Sequence, residues 1–171
     1  MRVPLIPREE QPDDVGQLLD LAAAATTGTA PPTVAVMAHQ PALLGPFLTW
    51  ASALALNGVL SKRDHELLAL RIAHRCGSSF EWHEHAEYAR QAGMPNDEVE
   101  RIRVGPSADG WSDTDAALLL AADELHDDST ITDTTWAALA GHHDVSALVE
   151  IVYVVGQYTM LSMVANGFGI T

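Results

Sequence analysis

An all-α fold is predicted by three features of the sequence. No stretch alternates apolar and polar residues for any length, apolar residues recur at three- and four-residue spacing through most of the chain, and Gly or Pro punctuates it at helix-length intervals. The 171 residues suffice for one domain with a real core, and 47% apolar against 19% charged residues is too apolar for general disorder. No internal repeat, low-complexity tract or separating linker interrupts the pattern, so the expected architecture is a single-domain helical bundle.

Asp13 to about Ala25 reads as the first helix, and Thr26 to Pro32 (TTGTAPP) as a flexible connection. Val34–His39 is one short turn or helix. Pro41 suits a first helical position, and Asn57-Gly58 closes that helix. Ser61, with Asp64 three residues on, caps a helix to about Arg75, which Gly77 breaks. Ser79 to Ala92 follows, stopped by Gly93 and Pro95, and then a short helix from Asn96 to about Arg103. Val104–Gly110 is a loop. Ser112 with Asp115 repeats the cap and starts a helix to about His126; Asp133 starts a short one ended by Gly141. Asp144 caps a last helix to about Asn166, apolar nearly all round and so expected to be buried on every side. Its Glu150, Tyr153 and Gln157 line one stripe and need polar partners there, while Trp50, Trp136 and Met160 are expected in the core.

A formal charge of −14 with only nine Lys and Arg argues against a nucleic-acid partner and equally against an anionic membrane surface. One cysteine makes no internal disulfide. The start, MRVPLIPREEQPDD, lacks the apolar core of a signal peptide, and Val145–Val155 is interrupted by Glu150 and followed by Gly156-Gln157, as in a buried helix rather than a membrane span. The expected location is cytoplasmic.

The stretch with most chemistry is CGSSFEWHEH, Cys76 to His85. Ser78 and Glu81 have capping-box spacing, which would satisfy both side chains structurally. Cys76 and Ser79 then lie at a helix N-terminus, where the dipole favours a thiolate; the plainer reading of Cys76 is a small buried hydrophobe. His85 shares a stripe with Trp82, Ala86, Ala89 and Ala92 and follows Glu81 by one turn, so it should point inward beside a carboxylate that orients it. His83 shares a stripe with Glu87 and Arg90 and should point outward. Glu66 lies among Leu67, Leu68, Leu70 and Ile72, where a carboxylate needs a partner or a raised pKa; otherwise it is a first-turn acid near Lys62 or Arg63. Arg71 and Arg75 fall on the polar side of that helix. His83-Glu84-His85 lacks the helical spacing for one metal ion, and His142-His143-Asp144 is better explained by a helix cap, so no metal is expected. No Gly-rich phosphate loop or serine nucleophile elbow is present.

AHQPALLGPFLTW (38–50), SKRDHELLALRIAHRCGSSFEWHEHAEYARQAGM (61–94), DAALLLAADELHDD (115–128) and VYVVGQYTMLSMVANGFGI (152–170) occur in that order. Together they resemble the carboxymuconolactone decarboxylase-like family, which includes the alkylhydroperoxidase D-type proteins. The likeness covers about residues 35 to 170, and Phe80 to His85 (Phe-Glu-Trp-x-x-His) is its most specific part. It implies a helical domain at 35–171 of the alkylhydroperoxidase D-like type, with residues 1–34 as an N-terminal helix and connector of the same domain. It also implies a homo-oligomer, dimer or trimer, with active sites near subunit contacts and no cofactor. One branch of the family decarboxylates a muconolactone by acid–base chemistry. The other reduces hydroperoxides with a Cys-x-x-Cys pair, a histidine and a relay glutamate. By position Cys76 matches the first cysteine, Ser79 the second, Glu66 the relay acid and His83 the redox histidine, whereas His85 matches the histidine of the Glu-Trp-x-x-His subgroup. A serine at 79 can neither form a sulfenate nor close a disulfide.

The expected activity is therefore a lyase or isomerase acting on a small carboxylated or lactone substrate. His85 would be its general acid/base, Glu81 the orienting partner and Glu66 a second carboxylate. His83 would contribute if oligomerisation covers it, and Trp82 and Ser79 would contact substrate. The alternatives are a one-cysteine thiol peroxidase using Cys76 and a non-catalytic helical binding module.

Overall fold

The structure is a computed structural model that describes residues 1–26 and 28–171. Among the described residues every regular element is helical: α1 (Asp13–Ala24), α2 (Pro32–Ala35), α3 (Pro41–Asn57), α4 (Lys62–Arg75), α5 (Ser79–Gln91), α6 (Asn96–Val104), α7 (Asp113–Asp128), α8 (Asp133–Ala140) and α9 (Val145–Phe168), with 3₁₀ turns at Arg8–Glu10 and Val36–His39. The all-α expectation holds. Of the predicted 26–32 connection, Thr27 lies outside the described residues, and the α2 turn begins at Pro32, at the connection's end.

The predicted caps explain most boundaries. Ser61 accepts from the Asp64 N–H at 3.0 Å, Asp144 from the Ala147 N–H at 2.9 Å, and Ser112 with Asp115 forms a complete capping box. The residue at the N-cap of α8 is Thr132, one position before the predicted Asp133 start. Gly77 takes φ +62° between α4 and α5, a left-handed value that a side chain rarely adopts.

Two hydrophobic clusters share the interior. The larger joins α4, α7 and α9 through Leu67, Leu68, Leu70, Ile72, Leu118 and Ile151, each fully buried and stabilising the fold by about 1.5–3 kcal/mol relative to exposure, and takes in α5 through Trp82, Ala86 and Ala89. The smaller, Val15, Leu19, Val34, Ala38 and Leu44, holds α1, α2 and α3 together. Polar ties fasten the α3 end of the smaller unit to α9. Trp50 Nε1 donates to Gln157 Oε1 at 2.9 Å, and the Val59 and Leu60 N–H groups donate to the Glu150 carboxylate at 2.5 and 3.4 Å. These contacts supply the partners that Glu150 and Gln157 need. A Cβ at Gly58 would collide with that carboxylate.

Three expectations fail on packing. Trp50, Trp136 and Met160 are exposed rather than in the core, because α3, α8 and α9 each turn one face outward. For the same reason α9 is not buried all round: Val145, Val149, Val152, Tyr153 and Met163 are exposed. By length and composition α9 is long and apolar enough to cross a membrane, but just over half of that window (56%) is buried against other helices. Arg71, expected on a polar face, is buried, because α7 and the end of α6 cover it. It grips Asp123 through two bonds of 2.6 and 2.7 Å and donates to the Ile102 carbonyl at 2.8 Å.

Candidate active site

Helix α5 presents two faces. Glu81, Trp82, His85, Ala86 and Ala89 are buried, whereas Ser79, His83 and Glu87 are exposed. The neighbouring α4 is buried from His65 to Ala73, and its Glu66 meets α5 from across the helix pair. His85 Nδ1 donates to Glu66 Oε2 at 2.6 Å. Its Nε2 lies 3.6 Å from Glu81 Oε2, beyond hydrogen-bond reach, and has no hydrogen-bond partner among the described residues.

The roles of the two acids are thus exchanged relative to expectation. Glu66 orients the imidazole, and Glu81 stands opposite the free nitrogen. The sequence spacing favoured Glu81 because it is one turn away on the same helix; Glu66 reaches the ring from α4 at a shorter distance. The predicted capping box is also half-formed. Ser78 accepts from the Glu81 N–H at 3.4 Å, but the Glu81 carboxyl does not return to Ser78, and its Oε1 is buried without a partner among the described residues.

Burial alone would lower the His85 pKa, but the charge and hydrogen bond of Glu66, with Glu81 behind, raise it above the ordinary 6.5. Burial raises Glu81 above the usual carboxylate range, opposed in part by His85. Tyr158 belongs to the same cluster. Its ring is 4.3 Å from that of His85, its hydroxyl shares a 2.8 Å hydrogen bond with His65 Nε2, and burial next to Glu66 and Glu81 pushes its pKa well above 10. Burial lowers the pKa of His65, which favours its neutral form. No local pattern in the sequence marks His65 and Tyr158 as partners. His65 sits in the first turn of α4 among charged residues, and Tyr158 lies 93 positions away, so only the tertiary fold pairs them.

Glu81, His85 and Tyr158 of this cluster line a cavity of about 430 Å³ between the two hydrophobic clusters, with Glu66 and His65 behind them. Glu81, His85 and Tyr88 come from α5 and Gln157 and Tyr158 from α9; α1 and α3 supply an apolar wall. The size falls within the range of small-molecule sites.

The other candidates lie elsewhere. Cys76 is the C-cap of α4, its N–H bonded back to the Ile72 carbonyl at 2.8 Å, so it sits at the unfavourable end of a helix dipole rather than the favourable one. Burial raises its pKa, and its Sγ is 3.7 Å from His126 Nδ1. It is not among the residues lining the cavity. Ser79, Trp82 and His83 border a second hollow of about 230 Å³ with His74 and Arg103, whose guanidinium lies 3.6 Å from the Trp82 ring centroid. His83 donates through Nδ1 to the Ser79 carbonyl at 2.7 Å. No cluster of three metal-ligating side chains occurs among the described residues.

An all-helical domain with a buried histidine–carboxylate pair on a cavity wall is the class of protein that fold and site define. The carboxymuconolactone decarboxylase family model matches residues 41–124. Solved structures extend the likeness over the chain. A peroxidase-related protein from Silicibacter sp. TM1040 is 17% identical with a TM-score of 0.86, covering 100% of this chain and 90% of that one. An alkylhydroperoxidase AhpD core protein from Ralstonia eutropha JMP134 is 21% identical with a TM-score of 0.80, covering 99% and 90%. The debrominase Bmp8 in complex with 2,3,4-tribromopyrrole is 14% identical with a TM-score of 0.83, covering 99% and 90%. At these identities the structural likenesses establish the fold alone. No curated protein matches the sequence. Over residues 41–124, just under half of its length, the chain matches the carboxymuconolactone decarboxylase family, and its fold is AhpD-like.

Proposed function

We propose that the protein is a cofactor-independent acid–base enzyme, a lyase or isomerase of the carboxymuconolactone decarboxylase type, acting on a small lactone or unsaturated carbonyl compound. The observation that carries this reading is His85, tied through Nδ1 to Glu66 at 2.6 Å with Nε2 left free at the cavity wall. Glu66 fixes the tautomer, so neutral His85 offers its lone pair at Nε2 and the imidazolium offers a proton there. In the forward step Nε2 takes a proton from a carbon next to the substrate carbonyl. The C–H electron pair moves into the carbonyl, and the oxyanion accepts a hydrogen bond from the Glu81 carboxyl, which burial favours in its protonated form. Return of the proton from Nε2 to a different carbon of the conjugated system completes an isomerisation; expulsion of a β-leaving group instead completes an elimination.

Two observations weigh against the thiol-peroxidase alternative. Burial makes the Cys76 thiolate harder to form, and position 79, three residues on, is a serine. Self-association is part of the same proposal: the outward stripe of α9, with Val145, Val149, Val152 and Met163, offers an apolar face to a second copy. Light scattering at micromolar concentration should give more than one subunit, and a monomer there would remove that part.

The direct test is His85→Gln, assayed against a panel of lactones and unsaturated ketones once the wild type turns one over. Gln approximates the ring's size and cannot relay a proton. The variant should keep its circular dichroism and lose about a thousandfold in kcat/KM. Undiminished turnover would end the assignment.

A further inference from the structure

We infer that the cavity selects an uncharged, largely apolar molecule with one hydrogen-bonding head, and rejects carboxylates. The inference rests on the acid–base reading for what happens to the bound molecule, but the binding preference follows from the walls alone. Leu18, Val34, Phe47, Leu48, Leu54 and Leu161 are among the apolar residues enclosing the space. The ionisable groups facing it are Glu81, Glu84, His85, Tyr88 and Tyr158, and no Lys or Arg is among the described lining residues. His85, the one side chain there that can carry positive charge, is already held by Glu66 at 2.6 Å.

A carboxylate entering this space would lose its water and meet no free cation. It would instead approach Glu84 and the Glu66–His85 pair, whose charges cancel, and the net charge of −14 would disfavour its approach from solution. A neutral molecule avoids both costs. Its head can be met at the wall by Glu81 and Tyr88: both residues line the cavity, and Glu81 Oε1 and the Tyr88 hydroxyl have no hydrogen-bond partner among the described residues. Unsatisfied buried polar atoms are costly, so a hydroxyl or carbonyl that reaches either of them is favoured. The apolar remainder of such a molecule then lies against the wall from α1 and α3. The geometry thus narrows the substrate to an uncharged lactone, ester or ketone.

A matched pair of aromatic probes tests this by calorimetry with the wild-type protein at pH 7. 2-Naphthol is uncharged at that pH, and 2-naphthoate has the same ring with a carboxylate. 2-Naphthol should bind at least about tenfold more tightly, a difference of about 1.4 kcal/mol. Equal or tighter binding of 2-naphthoate overturns the inference, as does failure of 2-naphthol to bind. Ala51→Phe and Ala55→Phe, which fill the cavity from α3, localise the ligand. Each should abolish 2-naphthol binding while the circular dichroism is kept. Retained binding in both folded variants would put the ligand elsewhere and also overturn the inference. The catalytic reading fails separately: His85→Gln should leave 2-naphthol affinity within about threefold, so an active variant with intact preference sinks the mechanism and spares the substrate class. A dead variant in a protein that prefers 2-naphthoate does the reverse.

Discussion

On one side of α5, Glu81, His85 and Tyr88 face a cavity of about 430 Å³; on the other, Ser79, Trp82 and His83 border a hollow of about 230 Å³. Both contain a histidine, an aromatic ring and hydroxyl or carboxyl groups. They differ in how far their polar groups are withdrawn from water. In the cavity His85 Nε2, Glu81 Oε1 and the Tyr88 hydroxyl have no partner among the described residues. In the hollow His83 is bonded to the Ser79 carbonyl, and Arg103 both stacks on Trp82 and pairs with Glu100 at 2.8 Å. Residues within ten positions of each other in sequence are thereby sorted into a side whose unpartnered groups are buried and a side where Ser79 and His83 face water.

The largest effect that would sharpen this contrast is expected from Glu66→Gln. For His85 the pull of burial toward the neutral ring is the strongest single influence, and the charge of Glu66 heads those that overcome it. Removing that charge should therefore reverse the sign: the His85 ring, followed by its proton NMR resonances, should titrate above 6.5 in the wild type and below it in the variant. Turnover should fall about a hundredfold, because the tautomer is no longer fixed. An unchanged titration would mean that the 2.6 Å bond does not govern the ring.

Stability linkage has the matching sign. A histidine whose folded-state pKa is raised contributes stability that is fully present below about 6.5 and lost as pH rises through the folded value. Glu81, also raised, acts in the same direction from the carboxylate range upward, since the folded state holds its proton more firmly. His65, whose pKa burial lowers, acts oppositely up to about 6.5, so the wild-type Tm should decline between about pH 6.5 and pH 9, and His85→Gln should flatten that decline.

Next in size is Tyr158→Phe. It removes the hydroxyl that shares a 2.8 Å bond with buried His65, leaving a ring nitrogen unpartnered, at a cost of about 1–3 kcal/mol by denaturant titration. A change below about 0.5 kcal/mol would show that water or another group already satisfies His65. Smaller still is Glu81→Gln. It removes an acid that burial disfavours as an anion, so Tm at pH 7 should rise by about 2–4 °C, the equivalent of about 1 kcal/mol in a domain of this length. A fall in Tm would mean that the Glu81 charge is needed where it stands.

Much of this was legible before the structure. Ser61, Ser112 and Asp144 mark helix starts because a short polar side chain bonds its N–H three positions on, which is a local rule. The inward His85 and outward His83 follow from helical spacing, also a local rule. What could not be read is what depends on neighbours far along the chain. Glu66 outcompetes Glu81 for His85 because α4 and α5 pack side by side; Arg71 is buried because α7 brings Asp123 to it; Trp50 stays exposed because α3 leans on α9 by one edge. Cys76 was misread for a different reason. A one-residue question, whether it ends one helix or begins the next, decides the sign of the dipole it feels, and the sequence CGSS allows either.

The smallest effect is expected outside both spaces, from Cys76→Ser. At the end of α4 the thiol faces carbonyl groups rather than N–H groups, and burial opposes the thiolate. With less thiolate than a free thiol and only partial access, Cys76 should react with a disulfide reagent at pH 7.5 more slowly than glutathione does. The serine variant should shift Tm by less than about 2 °C and change kcat/KM less than about twofold, because the thiol neither lines the cavity nor touches His85 or Glu66. Labelling faster than glutathione, together with loss of turnover in the serine variant, would transfer the chemistry to the α4–α5 corner. Electrons rather than protons would then be what this protein moves.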